Sequence, residues 1–592
     1  MSQMMRSSDA PPIQDSMSLL KCVASTALLE GTRVLPPTQA LTWRKARDVE
    51  SAVIGCMTIE GHAIELRVGL PRSFPLCLPE IAIESVHPPV ELPHVSDDGK
   101  LCYESEASIL LDRRDSWHII KESLERVRKL LSSLLAGRDA GMLAEEFAQE
   151  AVAYWHHLAV SHINCVVDAG EHPHETTALF YKGALAAVAD SPSVFEQSLA
   201  RRSIDHVTHR NAIYVPVDPA AANPAFHPRE LATFEGLRKY VGMLPEQDRR
   251  TLAKLLERLD KSEEFVVLGV RRTQGERALL GVNIEAIQGG HPLRDERARG
   301  RVRPVELLRR DRAFLAPRGG ASTTLHERRV LIAGCGAVGG YLALLLARAG
   351  VGHISLVDPD RFGMENAYRH VCGMARDREP KVEGLKQELE RLIPYVKVSS
   401  YQTRIEKFLV EKPDVMRDQD LIISALGEPT IELHLNEWLW SSATHPPAVF
   451  TWLEPLGLGG HALVTHVHRE GAHARGCLEC LYHRPHLDDP LENRAGFATP
   501  GEIYTKDMLG CGSAHLPFAD LDAQRTAEAA GRLALRVLRG EIETASLISW
   551  KGDPRAFVQA GFDVTPRFNA LEDGSSEDLG TYFRHNCAAC AK

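Results

Sequence analysis

The stretch Val330-Leu331-Ile332-Ala333-Gly334-Cys335-Gly336-Ala337-Val338-Gly339-Gly340 organises the chain, because an apolar run leads into the pattern G-x-G-x-x-G. A helical pattern, 341–348, follows, so the order predicts a strand, a tight turn and a helix. Glycines let a backbone approach a phosphate closely, and the N–H groups of a helix start favour an anion. A second apolar run, 353–357, ends on Asp358, which is placed to accept hydrogen bonds from ribose hydroxyls. The unit predicts a nucleotide site, whose glycines are Gly334, Gly336 and Gly339.

Length and composition set the broad class of the protein. The chain has 592 residues, which suggests three or four domains, and its 44% hydrophobic and 25% charged residues are ordinary for globular proteins. A net charge of −10 argues against direct nucleic-acid binding. No apolar run reaches membrane-span length, and residues 1–18 lack the apolar core of a signal peptide. We therefore expect a cytoplasmic enzyme whose twelve cysteines serve metal binding or thiol chemistry.

The first 155 residues carry a strand pattern followed by a helix pattern. Residues 1–16 are expected to be a disordered tail, and a helical pattern begins near Met17. Segments 51–59 and 62–68 alternate as a β-hairpin across Glu60-Gly61, and 80–84 predicts a third strand. An irregular stretch with Cys102 and then Trp117 precedes a long amphipathic helix over 119–135. This segment is therefore expected to be an α+β domain.

That order resembles the ubiquitin-conjugating fold. The family has His-Pro-Asn, a few variable residues, and then Gly-x-(Ile/Leu)-Cys. Here Gly99-Lys100-Leu101-Cys102 fits, Pro93 falls on the family's Pro, His94 on its Asn, and Leu92 replaces its His. The resemblance implies a thioester-forming Cys102 and an oxyanion-type role for His94. Without it, Cys102 would be interpreted as a packed core residue.

The middle of the chain carries no motif. A helical pattern runs through residues 244–259, and two strands around a turn are expected at 264–270 and 278–282. These patterns predict a mixed α/β linker domain over residues 156–310. Its charged run Arg294–Arg303 is interpreted as a solvated loop.

Beyond the glycine loop the chain resembles the ubiquitin-activating superfamily, with its ThiF and MoeB relatives. The family pattern is Asp-x-Asp, Asn-Leu-x-Arg-Gln, and later a Lys; the matching residues are Asp358, Asp360, Asn366, Arg369 and Lys381. The resemblance implies ATP and Mg²⁺. Adenylating a carboxylate requires charge neutralisation at the phosphates, which an Arg and a Lys supply.

Two further features concern this ATP site. The family's magnesium-binding Asp is absent, since Gly427-Glu428 stands there; Glu428 or Asp360 remain candidates for the metal. In relatives an N-terminal Arg crosses a homodimer to the partner's ATP, and Arg318 is the candidate here, with a surface role as the alternative.

Two C-x-x-C pairs predict structural zinc. Cys477, Cys480, Cys587 and Cys590 provide the four thiolates of a closed tetrahedral site. ThiF and MoeB relatives carry the same two pairs. A disulfide or free thiols are the alternative.

Cys511 is the second candidate nucleophile. It lies in the Gly-flanked stretch Gly510-Cys511-Gly512, shortly before a helical pattern over 521–538. A Cys near a helix start can have a lowered pKa. In the activating family, the loop that crosses over the adenylate carries the thioester Cys.

Together the chain is expected to be an α/β multidomain protein: a ubiquitin-conjugating-like domain at 17–155, the linker domain at 156–310, and a Rossmann-like adenylation domain with zinc at 311–592. The resemblance implies a relay from an acyl-adenylate to Cys511, to Cys102, and to an amine. Such fusions resemble those of CBASS antiphage operons, where the activated carboxylate belongs to a cGAS-like nucleotidyltransferase (CD-NTase).

Three alternatives remain open. In the first, the activated partner would be a small ubiquitin-like protein instead of a CD-NTase. The chain is a sulfur-carrier adenylyltransferase of the thiamine or molybdopterin type, in which the N-terminal domain only docks. Last, it is a scaffold with degenerate sites, for which Leu92 and Gly427 would be the signs.

Overall fold

A computed structural model describes most of the chain, and the chain divides into two compact units. One unit is Met1–Pro192 with His206–Arg309, and the other is Ser193–Asp205 with Arg310–Lys592. The described residues are 15–35, 49–96, 98–105, 109–136, 142–198, 207–219, 226–257, 263–289, 291–467, 476–486, 488–500, 504, 506–507, 514–515, 517–578 and 582–591.

The described N-terminal residues of the first unit form a four-stranded antiparallel sheet in the order β1-β2-β3-β4. The strands are β1 Glu30–Val34, β2 Val49–Ile59, β3 His62–Pro71 and β4 Glu80–His87. The predicted hairpin is confirmed, with Ile59 opposite His62. A helix over Ser16–Ser25 begins after Asp15, whose carboxylate accepts the Ser18 N–H at 2.7 Å. The expected disordered tail lies, except for Asp15 and Ser16, outside the described residues.

The long amphipathic helix packs on this sheet. It spans Ser116–Ala136, beginning three residues before the apolar pattern. Its inner face, repeating every three or four residues, is fully buried. The residues of that face are Ile120, Leu124, Val127 and Leu131. The α+β prediction for this segment is confirmed.

The middle region forms a closed β-barrel, in the strand order β10-β11-β5-β7-β6-β8-β9. The strands are β5 His162–Val166, β6 His174–Tyr181, β7 Ala184–Ala189, β8 Val207–Val217, β9 Glu263–Val270, β10 Ala278–Gln288 and β11 Arg299–Arg309. Helices of the same unit span Met142–Gln149, Ala151–Leu158, Phe234–Met243 and Glu246–Leu256, with a 3₁₀ turn at Pro228–Ala232. The helix Pro192–Ser198 belongs, except for its first residue, to the second unit.

The prediction of a loop at Arg294–Arg303 is wrong for the second half of that range. Residues from Arg299 onward belong to β11, where Arg303 lies opposite Asn283 of β10. The Arg303 Nε donates to Glu285 Oε2 at 2.8 Å. Charged side chains on the outer face of a strand give a run that resembles a loop, because only the inner face must be apolar.

One apolar core joins the four-stranded sheet and its long helix to the barrel within the first unit. It contains Leu124 and Leu131 of the long helix, Trp155, and the barrel residues Val266 and Val282. A second cluster fills the barrel interior around Tyr214. The predicted boundary between residues 155 and 156 lies inside the helix Ala151–Leu158, which is part of this core.

The described residues of the second unit form an eight-stranded sheet in the order β14-β13-β12-β15-β16-β17-β22-β23. Its parallel strands are β12 Arg329–Ala333, β13 His353–Val357, β14 Lys397–Tyr401, β15 Leu421–Ser424 and β16 Ala448–Leu453. Its antiparallel strands are β17 Gly459–Thr465, β22 Ser546–Lys551 and β23 Ser575–Asp578. Short pairs are β18 Tyr482–His483 with β19 Glu492–Asn493, and β20 Lys506–Asp507 with β21 Ala514–His515.

Helices cover this sheet, and the Rossmann-like prediction is confirmed. They span Arg312–Arg318, Ala337–Arg348, Lys381–Leu392, Ile405–Glu411, Pro413–Arg417, Pro429–Trp440, Asp520–Leu538, Arg555–Gln559 and Pro566–Ala570; 3₁₀ turns lie at Thr323–Leu325, Met364–Asn366, Met374–Arg376, Pro455–Gly457 and Leu478–Leu481. Leu342, Leu346 and Ala530 place two of the helices in one core with β12 and β13. Among the described residues, no helix is both long and apolar enough to cross a membrane.

Candidate active sites and metal centre

Cys102 is exposed at the wall of a cavity of about 510 Å³ in the first unit. Its backbone N–H donates to the His94 carbonyl at 2.8 Å, so the structure brings these two predicted residues together. Glu150 and Tyr154, from the start of the helix Ala151–Leu158, line the same cavity. The arrangement presents a thiol to an open, partly apolar space large enough for a substrate side chain.

Both nitrogens of the His94 ring face carboxylates. Its Nδ1 lies 2.6 Å from Glu150 Oε1, and its Nε2 lies 3.2 Å from Glu146 Oε2. With a carboxylate at each nitrogen, the ring is held as an imidazolium. The hydrogen bond with Glu150 raises the pKa of His94, against the opposing effect of burial. The oxyanion-type role of His94 stays a prediction, beside the observed carboxylate partners of its ring.

Burial raises the pKa of the Cys102 thiol, and the charges of Glu150 and Glu104 add to the effect. Lys100 opposes it. This direction favours the neutral thiol of Cys102 in the free protein. Glu146 and Glu150 were missed by the sequence analysis, because no motif connects them to a cysteine almost fifty residues upstream.

The glycine loop joins β12 to the helix Ala337–Arg348. Gly334 has a φ of +88°, and a Cβ there would lie 2.5 Å from the Ala425 carbonyl oxygen. A Cβ on Gly339 would lie 1.9 Å from the Gly334 oxygen. A Cβ on Gly336 would meet nothing within 4 Å. The protein's own packing thus requires two of the glycines, whereas the third faces open space at the helix start.

Asp358 braces this loop. Its Oδ2 accepts the Cys335 N–H at 2.7 Å, and its Oδ1 accepts the Asp360 N–H at 2.8 Å. The side chain is buried beneath the loop. A carboxylate has about four acceptor positions, so the ribose contact stays a prediction beside this observed bracing.

The other predicted residues form two pairs. Arg369 donates from Nε and Nη2 to Asn366 Oδ1 at 3.1 and 3.0 Å. Lys381 Nζ donates to Asp360 Oδ2 at 2.8 Å. The Arg369 guanidinium also lies over the Phe518 ring, 4.6 Å from its centroid, a contact that no sequence motif indicates. Burial lowers the pKa of Arg369.

Two further predicted residues are Arg318 and Cys511. Arg318 is exposed, and its guanidinium lies over the Phe314 ring at 4.2 Å. Cys511 lies outside the described residues, which resume at Ala514 before the helix Asp520–Leu538.

Cys477, Cys480, Cys587 and Cys590 form one buried cluster, with all Sγ atoms within 4.8 Å of one another. The Cys477–Cys480, Cys477–Cys587 and Cys480–Cys590 sulfur distances are 3.9, 3.6 and 3.4 Å. Zn–S bonds of about 2.3 Å in a tetrahedron imply sulfur separations of about 3.8 Å. The two C-x-x-C pairs therefore meet in a geometry that suits a tetrahedral metal ion, and none of the four is in a disulfide.

Two family models match separate segments of the chain. Residues 309–523 match the ThiF family, and residues 37–163 match prokaryotic E2 family B. The first match contains the glycine loop and the Arg369 and Lys381 pairs; the second contains Cys102 and Glu150. The ThiF match supports ATP binding.

Two relatives align over most of the chain. The chain is 26% identical to the ATP-dependent ubiquitin transferase-like protein Cap2 of Pseudomonas aeruginosa (strain BWHPSA011 / Pa011), over 69% of this chain and 74% of that protein. It is 21% identical to the protein of the same description from Escherichia coli (strain TW11681), over 80% of this chain and 84% of that protein.

A solved structure resembles part of the fold at low similarity. The structure of E. coli MccB with ATP gives a TM-score of 0.31 at 17% identity, covering 47% of this chain and 70% of that one. Values this low carry no argument about function. The two family matches and the long relatives do: this chain joins a prokaryotic E2-like segment to a ThiF-type segment, and it is an activating and conjugating enzyme of the ubiquitin-like kind.

Proposed function

We propose that this chain adenylates the C-terminal carboxylate of a partner protein with ATP and conjugates that carboxylate to a target amine. The observation that carries the proposal is the occurrence, in one chain, of an exposed Cys102 in an E2-like cavity and of the Arg369 and Lys381 pairs beside a ThiF-type glycine loop. The first site suits acyl transfer to and from sulfur. The second suits the neutralisation of phosphate charge.

The reaction proceeds in four steps. A carboxylate oxygen attacks the α-phosphorus of ATP, and pyrophosphate leaves; Arg369 and Lys381 stabilise the charge that develops there. The Cys511 sulfur attacks the acyl-adenylate carbonyl, and AMP leaves. The Cys102 sulfur then displaces Cys511. Finally an amine nitrogen, such as that of a lysine side chain, displaces Cys102 and forms an amide.

The metals have separate roles in the proposal. Mg²⁺ bound with ATP would neutralise phosphate charge, and Asp360 and the exposed Glu428 are the carboxylates available to it. The four-cysteine cluster would hold Zn²⁺ as a structural ion, as the sulfur separations allow.

The partner is the finer part of the proposal. A CD-NTase C-terminus is the first candidate, and a small ubiquitin-like protein is the second. A homodimer through the adenylation domain, with Arg318 reaching the other copy's ATP, would fit the exposure of that side chain. The sulfur-carrier alternative predicts that Cys102→Ala leaves activity intact.

The test mixes the protein, ATP, magnesium and each candidate partner, and compares gels run with and without reductant. We expect a reductant-sensitive adduct that requires Cys511 and a second that requires Cys102. If Cys511→Ala and Cys102→Ala both still form thiol-sensitive adducts, the relay is refuted. Absence of ATP–pyrophosphate exchange with every partner would favour the scaffold alternative.

A further inference from the structure

Glu150 holds His94 at two points. Its Oε2 accepts the backbone N–H of His94 at 2.7 Å, and its Oε1 lies 2.6 Å from the ring Nδ1. Glu150 is the residue before the helix Ala151–Leu158, but its side chain makes no capping hydrogen bond there. Both carboxylate oxygens are instead committed to His94, which lies in a separate loop.

His94, which Glu150 holds, is itself hydrogen-bonded to Cys102. His94 has a φ of +62°, a left-handed conformation that a residue with a side chain adopts only at some cost. In this conformation its carbonyl accepts the Cys102 N–H at 2.8 Å. One helical turn beyond Glu150, the Tyr154 hydroxyl donates to the Val95 carbonyl at 3.2 Å. The start of one helix therefore fixes the loop that carries the Cys102 contact.

The same helix is fastened to the barrel by the next residue. Trp155 is 1% exposed, and its Nε1 donates to the carbonyls of Gly281 and Val305 at 3.0 and 3.1 Å. Those two residues lie opposite each other on β10 and β11. The helix thus contacts the Cys102 loop through Glu150 and Tyr154 and the barrel through Trp155.

We propose that Glu150 is a positioning residue for acyl transfer from Cys102, and that the barrel takes part by holding the helix beside it. The proposal rests on the proposed function. In that step the amine nitrogen bonds to the thioester carbon and the C–S bond breaks. Of the two protons that the ammonium loses, one goes to the Cys102 thiolate and one to solvent. Glu150 acts through His94 by keeping Cys102 in place.

The decisive variant is Glu150→Gln, because it changes which protonation state of the His94 ring can form a hydrogen bond with residue 150. The carboxylate suits an imidazolium. In the amide, the oxygen takes the His94 backbone N–H, so the NH₂ faces Nδ1 and donates only to an unprotonated ring nitrogen. The titratable groups around Glu150 and His94 are Glu146, on the second ring nitrogen, Lys100 and Glu104 beside Cys102, and Glu80 and His157, which line the same cavity. The variant should therefore regain transfer activity, relative to the unaltered protein, as the pH rises through the histidine range.

The experiment loads Cys102 without the adenylation site. In a full-length Cys511→Ala background, a small soluble N-acetylglycine thioester acylates Cys102, and mass spectrometry of the Cys102 peptide follows its discharge by free lysine. We expect Glu150→Gln to lower the limiting discharge rate about tenfold near pH 6, with the half-saturating lysine concentration unchanged. The deficit should shrink to about twofold near pH 8.5. Glu145→Gln, the same charge change at an exposed neighbouring position, should discharge normally.

A second variant tests the barrel. Trp155→Phe keeps an aromatic ring but removes the donor to Gly281 and Val305, and we expect a few-fold slower discharge that does not vary with pH. Unchanged discharge in this variant overturns the role of the barrel.

Other results separate the two proposals. A Glu150→Gln protein that matches Glu145→Gln, or that is equally slow at every pH, overturns the positioning role alone. If the unaltered protein takes up the acyl group but never passes it to lysine, the conjugating function and this inference both fail.

Discussion

Cys102 and His94 show how single residues acquire their properties from distant parts of the chain. The charge state of His94 is set by Glu146 and Glu150, more than fifty residues away in sequence. Since paired carboxylates stabilise the protonated ring, the pKa of His94 lies above its ordinary value. We therefore expect the stability of the loop that carries His94 to depend on pH.

The first prediction concerns stability. Because the folded-state pKa of His94 is raised, its contribution is fully present below about pH 6.5 and is lost as the pH rises through the folded-state value. His94→Asn cannot titrate and tolerates a left-handed backbone. The difference in melting temperature between the unaltered protein and His94→Asn should shrink between about pH 6 and about pH 9. A difference that stays constant would contradict this assignment.

The second prediction concerns the phosphate-neutralising residues. Lys381→Ala or Arg369→Ala should lower ATP–pyrophosphate exchange roughly 10²- to 10³-fold, because each removes a fixed positive charge where negative charge develops. Lys407→Ala removes an exposed lysine that pairs with Glu411 and should have normal exchange. Equal rates in all variants would exclude both residues from the adenylation site.

At the scale of the element, the loop between β12 and its helix contains two kinds of glycine. Two are required by packing, and one faces open space. Gly334 and Gly339 are enclosed by backbone atoms, whereas Gly336 faces open space. The three positions of one motif therefore differ in their physical reason for being glycine.

The third prediction follows from that difference. Gly339→Ala places a Cβ against the Gly334 carbonyl and should destabilise the fold by about 2 kcal/mol or more, lowering the melting temperature of the second unit. Gly336→Ala should fold normally and weaken ATP binding, measured by calorimetry. If Gly336→Ala binds ATP as the unaltered protein does, that position does not face the nucleotide.

At the scale of the whole molecule, two compact units have separate determinants of stability. The first combines the sheet, the long helix and the barrel in one shared core. The second depends on its large sheet and on a cluster that joins the C-terminal Cys587 and Cys590 to Cys477 and Cys480.

The fourth prediction concerns zinc. Chelation, or Cys587→Ser, should release about one zinc per chain and lower the melting temperature of the second unit by about 10 °C or more, because metal binding to four thiolates contributes directly to folding. Cys56→Ser, in β2 of the first unit, serves as the control and should retain zinc. A protein that contains no zinc as purified and melts normally would refute the assignment.

Local patterns were sufficient wherever a motif and its contacts are close in sequence. The β12–loop–helix unit, the β2–β3 hairpin and the helix over Asp520–Leu538 follow from periodicity and turn residues. The barrel could not be predicted from such patterns, because its closure pairs strands such as β5 and β11 that are far apart in the chain. Its charged strand β11 looks like a loop until its partner is known.

The sequence by itself predicted the two chemistries, since glycine spacing, the Arg369 and Lys381 positions, Cys102 and the paired cysteines are local or composition-level signals. Only the tertiary structure decided how they are supported. It brought the C-x-x-C pairs together, placed Phe518 on Arg369, and set Glu150 and the barrel behind Cys102. The physical reason is that these contacts join residues tens to more than a hundred positions apart, and no local rule of pairing or propensity reaches across that distance.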